Sequence, residues 1–161
     1  MDEILEILSK NARITPEEIA KLTGRDGAAV KKAIKQYEEN GTIVQYKTVI
    51  NQELARGENS FVRAIIEVSI TPQKDLGFDA VAERIYSFPE VISCYLVSGT
   101  YDLLLLVEGE NIQTVANFVA VKLAPMEPVK STTTHFLLKK YKEDGHMFKR
   151  AKKSKRLAIS Y

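Results

Sequence analysis

Apolar positions in the first fifty residues repeat at helical spacing, in three short runs separated by breaks. Ile4, Leu5, Ile7 and Leu8 form the first run and predict a short amphipathic helix. Thr15-Pro16-Glu17-Glu18 then carries a complete helix-start signal. Threonine caps the backbone N–H groups, proline fits the first turn, and Glu18 stands where a capping box places its acid. Ile19, Ala20 and Leu22 are the inner positions of this second helix, and Gly24 ends it. Asp26 caps a third, whose inner face is Val30, Ala33, Ile34 and Tyr37; Gly41 supplies the stop. Two helices joined by a tight glycine-containing turn predict a helix-turn-helix. The rough alternation from Ile43 to Ile50 reads as a following strand, a wing.

Beyond residue 60 the period changes. Phe61–Thr71 is rich in β-branched residues and predicts a strand, and Phe78, Val81, Ala82 and Ile85 form a helical stripe that stops before Pro89. Val91–Ser98 is a second strand, Gly99-Thr100-Tyr101 a turn, and Asp102–Glu108 a third strand around Leu103-Leu104-Leu105-Leu106-Val107. Asn111 caps a second helix with Ile112, Val115, Ala116 and Val119 inward, and Lys130–Lys140 is the last strand. The order β-α-β-β-α-β is the ferredoxin-like arrangement. The expected class is therefore α+β, a winged helix-turn-helix followed by a ferredoxin-like βαββαβ domain. Two helices cover one face of a four-stranded sheet, yet Ile65-Ile66 and Leu103–Leu106 make the strands apolar on both faces. The uncovered face predicts at least a dimer. The expected divisions are 1–50 for DNA binding, a hinge at 51–60 containing Arg56, Gly57, Glu58 and Asn59, the ferredoxin-like domain over 61–140, and a basic tail over 141–161.

Charge sharpens this division. Residues 1–50 carry 8 basic and 8 acidic side chains, residues 51–138 carry 6 and 11, and residues 139–161 carry 9 and 2. The basic charge is thus local, and part of it sits on the third helix as Lys31, Lys32 and Lys35, with Arg25 just before it. Such a helix fits the major groove, with lysines reaching phosphates, although the same face would suit an ordinary solvated bundle. The candidate DNA-contacting set is Arg25, Ala28, Ala29, Lys31, Lys32 and Lys35, with Asp26 serving only as a cap. Cys94 is the single cysteine, which excludes an intrachain disulfide and a cysteine-rich metal site. No apolar run reaches membrane-spanning length, and the acidic N-terminus does not read as a leader. A cytoplasmic protein is expected. His135 and His146 suggest no metal pair, and neither a nucleophile–base pattern nor a glycine-rich phosphate loop occurs. No cofactor, no metal and no catalysis are expected.

Several stretches together resemble the Lrp/AsnC family of leucine-responsive regulators: Asn11-Ala12-Arg13-Ile14-Thr15 with Glu18-Ile19-Ala20, Glu38-x-x-Gly-x-Ile43, and Gly99-Thr100-Tyr101-Asp102-Leu103-Leu104. Lys142-Glu143-Asp144-Gly145 and Arg156-Leu157-Ala158-Ile159-Ser160 resemble a branch from low-GC Gram-positive bacteria. The resemblance implies a transcription regulator that dimerises and assembles further, to tetramers or octamers, with an effector, usually an amino acid, held between sensor domains. It maps effector contacts onto Ser98, Gly99, Thr100, Tyr101 and Asp102, and onto Thr132 and Thr134. Backbone N–H donors suit an α-carboxylate, and Asp102 or carbonyls suit an ammonium. Equally, Gly99 suits a tight hairpin, and Thr132-Thr133-Thr134 are good strand formers.

The chain departs from the family pattern at Ala28, Ala29 and Ala33, where hydroxyls and an arginine are usual. Reading of DNA is then expected to lean on phosphate contacts and duplex deformability. Two other functions share this architecture. One is a siroheme-decarboxylase-like enzyme, whose usual Gln-x-x-Phe-Pro pattern is missing from the first helix; the other is a ligand sensor with little DNA binding. The run Lys149-Arg150-Ala151-Lys152-Lys153-Ser154-Lys155-Arg156 reads either as a solvated terminus or as a source of salt-dependent, sequence-blind DNA affinity.

Overall fold

In a computed structural model, the described residues are 2–51, 55, 61–71 and 77–148. The chain divides into two compact units, Met1–Ile50 and Asn51–Tyr161.

The first unit contains α1 (Glu3–Lys10), α2 (Pro16–Thr23) and α3 (Gly27–Glu39). Each starts on the cap its sequence announces. Asp2 accepts from the Ile4 N–H at 3.0 Å, and Asp26 accepts from the Ala29 N–H at 3.0 Å. Thr15 and Glu18 form the full reciprocal capping box, with Pro16 in the first turn. Each such cap is worth about 1 kcal/mol. Gly24 and Gly41 close α2 and the α3 terminus with φ of 66° and 75°, the left-handed region that glycine enters without strain. Ile4, Leu8, Ile19, Ala20 and Val30 form the core, with Ile34, Tyr37 and Ile43 packed at its margin.

Two expectations fail in this unit. Leu22 is 66% exposed and lies off the inner face of α2. Residues 44–50 form no strand, and Val44 is 90% exposed. Alternation alone does not make a strand; the ladder requires a second edge, and none of the described residues of this unit supplies one. The segment instead borders a groove of about 570 Å³ beside α1, lined by Leu5, Leu8, Ile43 and Tyr46 among others.

The second unit contains β1 (Val62–Ile70), α4 (Gly77–Tyr86), β2 (Val91–Leu96), β3 (Leu103–Gly109), α5 (Ile112–Asn117) running into a π-helical turn (Phe118–Leu123), and β4 (Val129–Phe136). The sheet order is β2-β3-β1-β4, with every neighbouring pair antiparallel. This is the expected ferredoxin-like arrangement. Ala64, Ile66 and Val68 of β1 face Val107, Leu105 and Leu103 of β3 in register. All are buried under Val81 and Ile85 of α4 and Val115, Phe118 and Leu123 of the second helical segment. Burying each branched side chain contributes about 1.5–3 kcal/mol.

The alternate positions line the other face: Arg63, Ile65 and Glu67 opposite Glu108, Leu106 and Leu104. Neither α4 nor α5 covers them. An apolar centre of Ile65, Leu104 and Leu106 is edged by the Arg63–Glu108 ion pair at 2.6 Å and by His135, whose Nε2 lies 3.2 Å from the Glu67 carboxylate.

The second helix corrects the sequence reading. Ile112 is 59% exposed and Ala116 is also exposed. The Ala124 N–H reaches back five residues to the Val119 carbonyl at 2.8 Å. That wider turn carries Leu123 onto the buried stripe of Val115 and Phe118, where a uniform 3.6-residue period would place Lys122. β2 and β4 end earlier than expected, at Leu96 and Phe136, while β3 starts and ends one residue later than expected, at Leu103 and Gly109.

The chain then forms a small hairpin, β5 (Lys142–Glu143) and β6 (His146–Met147), inside the region expected to be tail. Asp144 and Gly145, with φ of 47° and 80°, make its two-residue turn. In the expected hinge, the Ala55 N–H bonds the Asn51 carbonyl at 3.0 Å; Arg56, Gly57, Glu58 and Asn59 lie outside the described residues.

Candidate nucleic-acid interface and effector site

The face of α3 opposite Val30 and Tyr37 presents Ala28, Ala29, Lys31, Lys32 and Lys35, all exposed. Helical spacing gathers Ala28, Lys32 and Lys35 on one side. Lys35 lies 3.6 Å from Glu39 one turn on, which offsets part of its charge. Gln36 is exposed on the same face and was absent from the sequence-predicted set. Its position four residues after Lys32 was the available signal, and its amide has the donor–acceptor pair that reads an adenine edge.

Arg25 stands apart from this set. Its guanidinium lies 3.2 Å from the Asp2 carboxylate, and Asp2 also accepts from the Tyr37 hydroxyl at 2.7 Å. Those hydrogen bonds hold the Asp2 carboxyl below its usual value, the Tyr37 bond acting most strongly, and the same bond raises the Tyr37 phenol. Arg25 thus joins the turn before α3 to the cap of α1, and a phosphate would compete with Asp2 for it.

In the second unit, Ser98–Asp102 connect β2 to β3. The Val97 N–H closes the turn on the Asp102 carbonyl at 2.9 Å, and the Asp102 N–H bonds the Val68 carbonyl at 3.0 Å. One Asp102 carboxylate oxygen accepts from the Ile70 N–H at 2.7 Å. That carboxylate therefore holds the turn to the end of β1, and only its remaining lone pairs are open to an ammonium.

Ser98, Gly99 and Thr100 are exposed. Among the described residues, none accepts from the backbone N–H groups of Ser98, Gly99, Thr100 or Tyr101. Gly99 has no left-handed φ, and nothing lies within 4 Å of where its Cβ would be. The turn itself does not demand glycine there, so the tight-hairpin explanation finds no support in the geometry.

Thr132 and Thr134 are half-buried on β4, beside Val68 and Ile66 of β1 and so on the helix-covered side of the sheet. Leu103 and Thr132 flank Val68 from opposite sides. The turn and Thr132 thus share one end of the sheet, about 10 Å apart across two strand spacings. They form two separate groups with β1 between them. His135 faces the uncovered side and pairs with Glu67. Among the described residues, no cluster of three or more metal-ligating side chains forms, and no helix is long and apolar enough to cross a membrane. Burial raises the Cys94 thiol, which packs against the core.

Residues 3–44 match the winged helix-turn-helix DNA-binding domain, and residues 63–147 match the Lrp/AsnC ligand binding domain. The chain belongs to the Lrp/AsnC family. It is 46% identical over 98% of its length to an HTH-type transcriptional regulator of Bacillus subtilis, YugG, spanning 95% of that protein. It is 30% identical to a leucine-responsive regulatory protein of Rhizobium meliloti, with 88% of each chain covered. Among solved structures, a transcriptional regulator of Neisseria meningitidis in complex with L-methionine matches with a TM-score of 0.69 at 27% identity, covering 89% of this chain and 93% of that one. This Lrp/AsnC member is a transcriptional regulator with a DNA-binding helix-turn-helix and a ligand-binding sensor domain.

Proposed function

We propose that the protein binds duplex DNA through the exposed face of α3 and that a free amino acid, bound at the β2–β3 turn, modulates it. The observation that carries the effector reading is the turn itself: four backbone N–H groups without acceptors among the described residues, around a glycine that the local backbone does not require. Such a turn suits a carboxylate. Ser98, Gly99, Thr100 and Tyr101 would hold the carboxylate, and Asp102 the ammonium through its remaining lone pairs. Thr132 and Thr134, across β1 from the turn, would line the side-chain end. The methionine complex of the Neisseria meningitidis regulator supports an amino acid as the ligand class.

The protein acts as a homo-oligomer in this reading, a dimer that assembles further to a tetramer or octamer. The uncovered sheet face of Ile65, Leu104 and Leu106 supports the first step, because a solvated apolar centre edged by an ion pair suits a second copy of itself. On α3, Lys31, Lys32 and Lys35 contact phosphates and Gln36 reads a base edge, while Ala28 and Ala29 allow close approach. Residues 1–50 act as the DNA-binding domain, 51–60 as the hinge and 61–140 as the sensor. The protein works in the cytoplasm as a regulator without catalytic activity.

A thermal-shift screen of the free amino acids tests the effector reading. One or a few should raise the Tm in a concentration-dependent way, by the RT ln(1 + [L]/Kd) that ligand binding adds to folding stability. A flat response across all of them refutes it.

A further inference from the structure

We infer that Asp2 restrains a DNA contact made by Arg25: the carboxylate that caps α1 holds an arginine that a backbone phosphate of bound duplex takes over. The inference rests on α3 as the duplex-binding helix, and adds to it a cation that the free protein keeps occupied.

Arg25 stands one residue before Asp26, the cap of α3, and three before Ala28. The second helix of a helix-turn-helix brings its N-terminal residues to base edges in the major groove, so a cation just ahead of that end stands beside the phosphate backbone. The Arg25 side chain is 44% exposed, yet its guanidinium is committed to Asp2. The commitment uses one nitrogen only. Nη1 lies 3.2 Å from one carboxylate oxygen and 3.5 Å from the other. Among the described residues, Nε and Nη2 meet no acceptor. The forked two-nitrogen geometry that a guanidinium offers to an oxyanion is thus unused, and it is open to a phosphate.

Asp2 does not depend on Arg25. Its Oδ1 accepts from the Ile4 N–H at 3.0 Å, and its Oδ2 accepts from the Tyr37 hydroxyl at 2.7 Å. The Tyr37 bond first, then the Ile4 bond, hold its carboxyl below the ordinary 3.8, so it stays an anion at neutral pH. When Arg25 swings away, the carboxylate keeps both bonds and α1 stays capped. The other acid beside Arg25 in the chain, Asp26, is turned to the Ala29 N–H at 3.0 Å. The exchange therefore strips no group of its partners, and an exposed ion pair of this kind contributes little to the fold. Its effect is on charge: one cation is neutralised in the free protein, and DNA must win it back.

The experiment uses the full-length wild type, Asp2→Asn, Arg25→Gln and the double variant, with Lys32→Ala alongside. Asparagine caps a helix as well as aspartate does, so only the charge is removed. Asp2→Ser, another capping side chain, repeats the test, and circular dichroism reports whether the helices are intact. Affinity for a random-sequence duplex is measured by fluorescence anisotropy between about 50 and 200 mM salt. Both neutral Asp2 variants should bind more tightly. The slope of log K against log salt should steepen by up to about 0.9, one phosphate's share, which makes the gain up to about threefold larger at the low-salt end. In the Arg25→Gln background the gain from Asp2→Asn should vanish. Unchanged affinity in both neutral variants overturns the inference. Weaker binding overturns it as well, and makes Asp2 a positioning residue for Arg25. An equal gain without Arg25 also overturns it, because removal of any acid would do the same. Lys32→Ala judges the α3 reading separately: if it binds like wild type while the Asp2 series behaves as stated, the lysine face fails and the arginine contact stands. A wild type that binds no duplex at the low-salt end overturns both.

Discussion

The Tyr37 hydroxyl donates to the Asp2 carboxylate at 2.7 Å, so the side chain that caps α1 also anchors the last turn of α3. Asp2 accepts the Arg25 guanidinium as well. α3 is therefore held to the first helix by a polar tie, besides the apolar core of Ile4, Leu8, Ile19 and Val30. The tie has a defined pH window. Asp2 titrates below its ordinary 3.8, so its contribution is complete above 3.8 and disappears as pH falls through the lower folded value. Tyr37 titrates above its ordinary 10.0, so its contribution is complete below 10.0 and disappears as pH rises through the higher folded value. Tyr37→Phe should lower the Tm at neutral pH and cease to matter at strongly acidic pH. Thermal melts of both proteins across pH check this; an equal deficit at every pH would refute the tie.

On the DNA face, Lys32→Ala should weaken binding to all duplexes and flatten the salt slope by about 0.9. Lys35→Ala should do less, because Glu39 already shares that charge. Gln36→Ala should instead relax base preference at one position and leave the salt slope unchanged. Anisotropy titrations on specific and random duplexes separate the two behaviours.

Two glycines should respond in opposite ways. Gly99→Ala meets open space and should change stability by less than about 0.5 kcal/mol while blunting any amino-acid response. Gly109→Ala brings its Cβ to 3.0 Å from Val115 and 3.2 Å from Thr114. It should destabilise by about 1–3 kcal/mol, as overpacking does. Denaturant melts with and without ligand distinguish them. Thr134→Val should keep the oligomer and weaken the response.

Much of this was legible because it is local. Thr15, Pro16 and Glu18 announce the start of α2 within four residues, and the capping box forms as written. The β-α-β-β-α-β succession of elements and the lysine face of α3 follow from periodicity in the same way. What sequence could not show depends on partners distant in the chain. The alternation from Ile43 to Ile50 reads as a strand, but a ladder needs a second edge. Asp102 reads as a ligand for an ammonium, while its bond to Ile70 spans 32 residues. The π-helical turn at Phe118–Leu123 breaks the very period by which inward residues are assigned and brings Leu123 inward, whereas Ile112 and Ala116 precede it on the regular helix and stay exposed. The β5–β6 hairpin did carry a local signal, Asp144-Gly145, hidden by the basic composition around it.

The uncovered sheet face gives the oligomer test. Leu106→Asp places a charge at the centre of the apolar patch opposite Ile65. It should leave a folded sensor unit but shift the mass from oligomer to monomer, as sedimentation would show. Core substitution at the neighbouring position, Leu105→Ala, should instead cost about 2–5 kcal/mol of folding stability. A wild-type chain that sediments as a monomer would refute the oligomer reading.

The bond from the Ile70 N–H to Asp102 fastens the β2–β3 turn to the far end of β1, where the β1–β4 register shifts between Ser69 and Ile70. A loop tied in this way has already lost its conformational entropy during folding. A ligand bound at this turn, as proposed above, would spend little of its binding free energy on ordering the protein. Displacement of the turn must also pull on the irregular end of β1 and, through the Thr71 N–H bond to the Pro128 carbonyl, on the entry to β4. Occupancy of the proposed site would thus be felt as mechanical strain across the sheet.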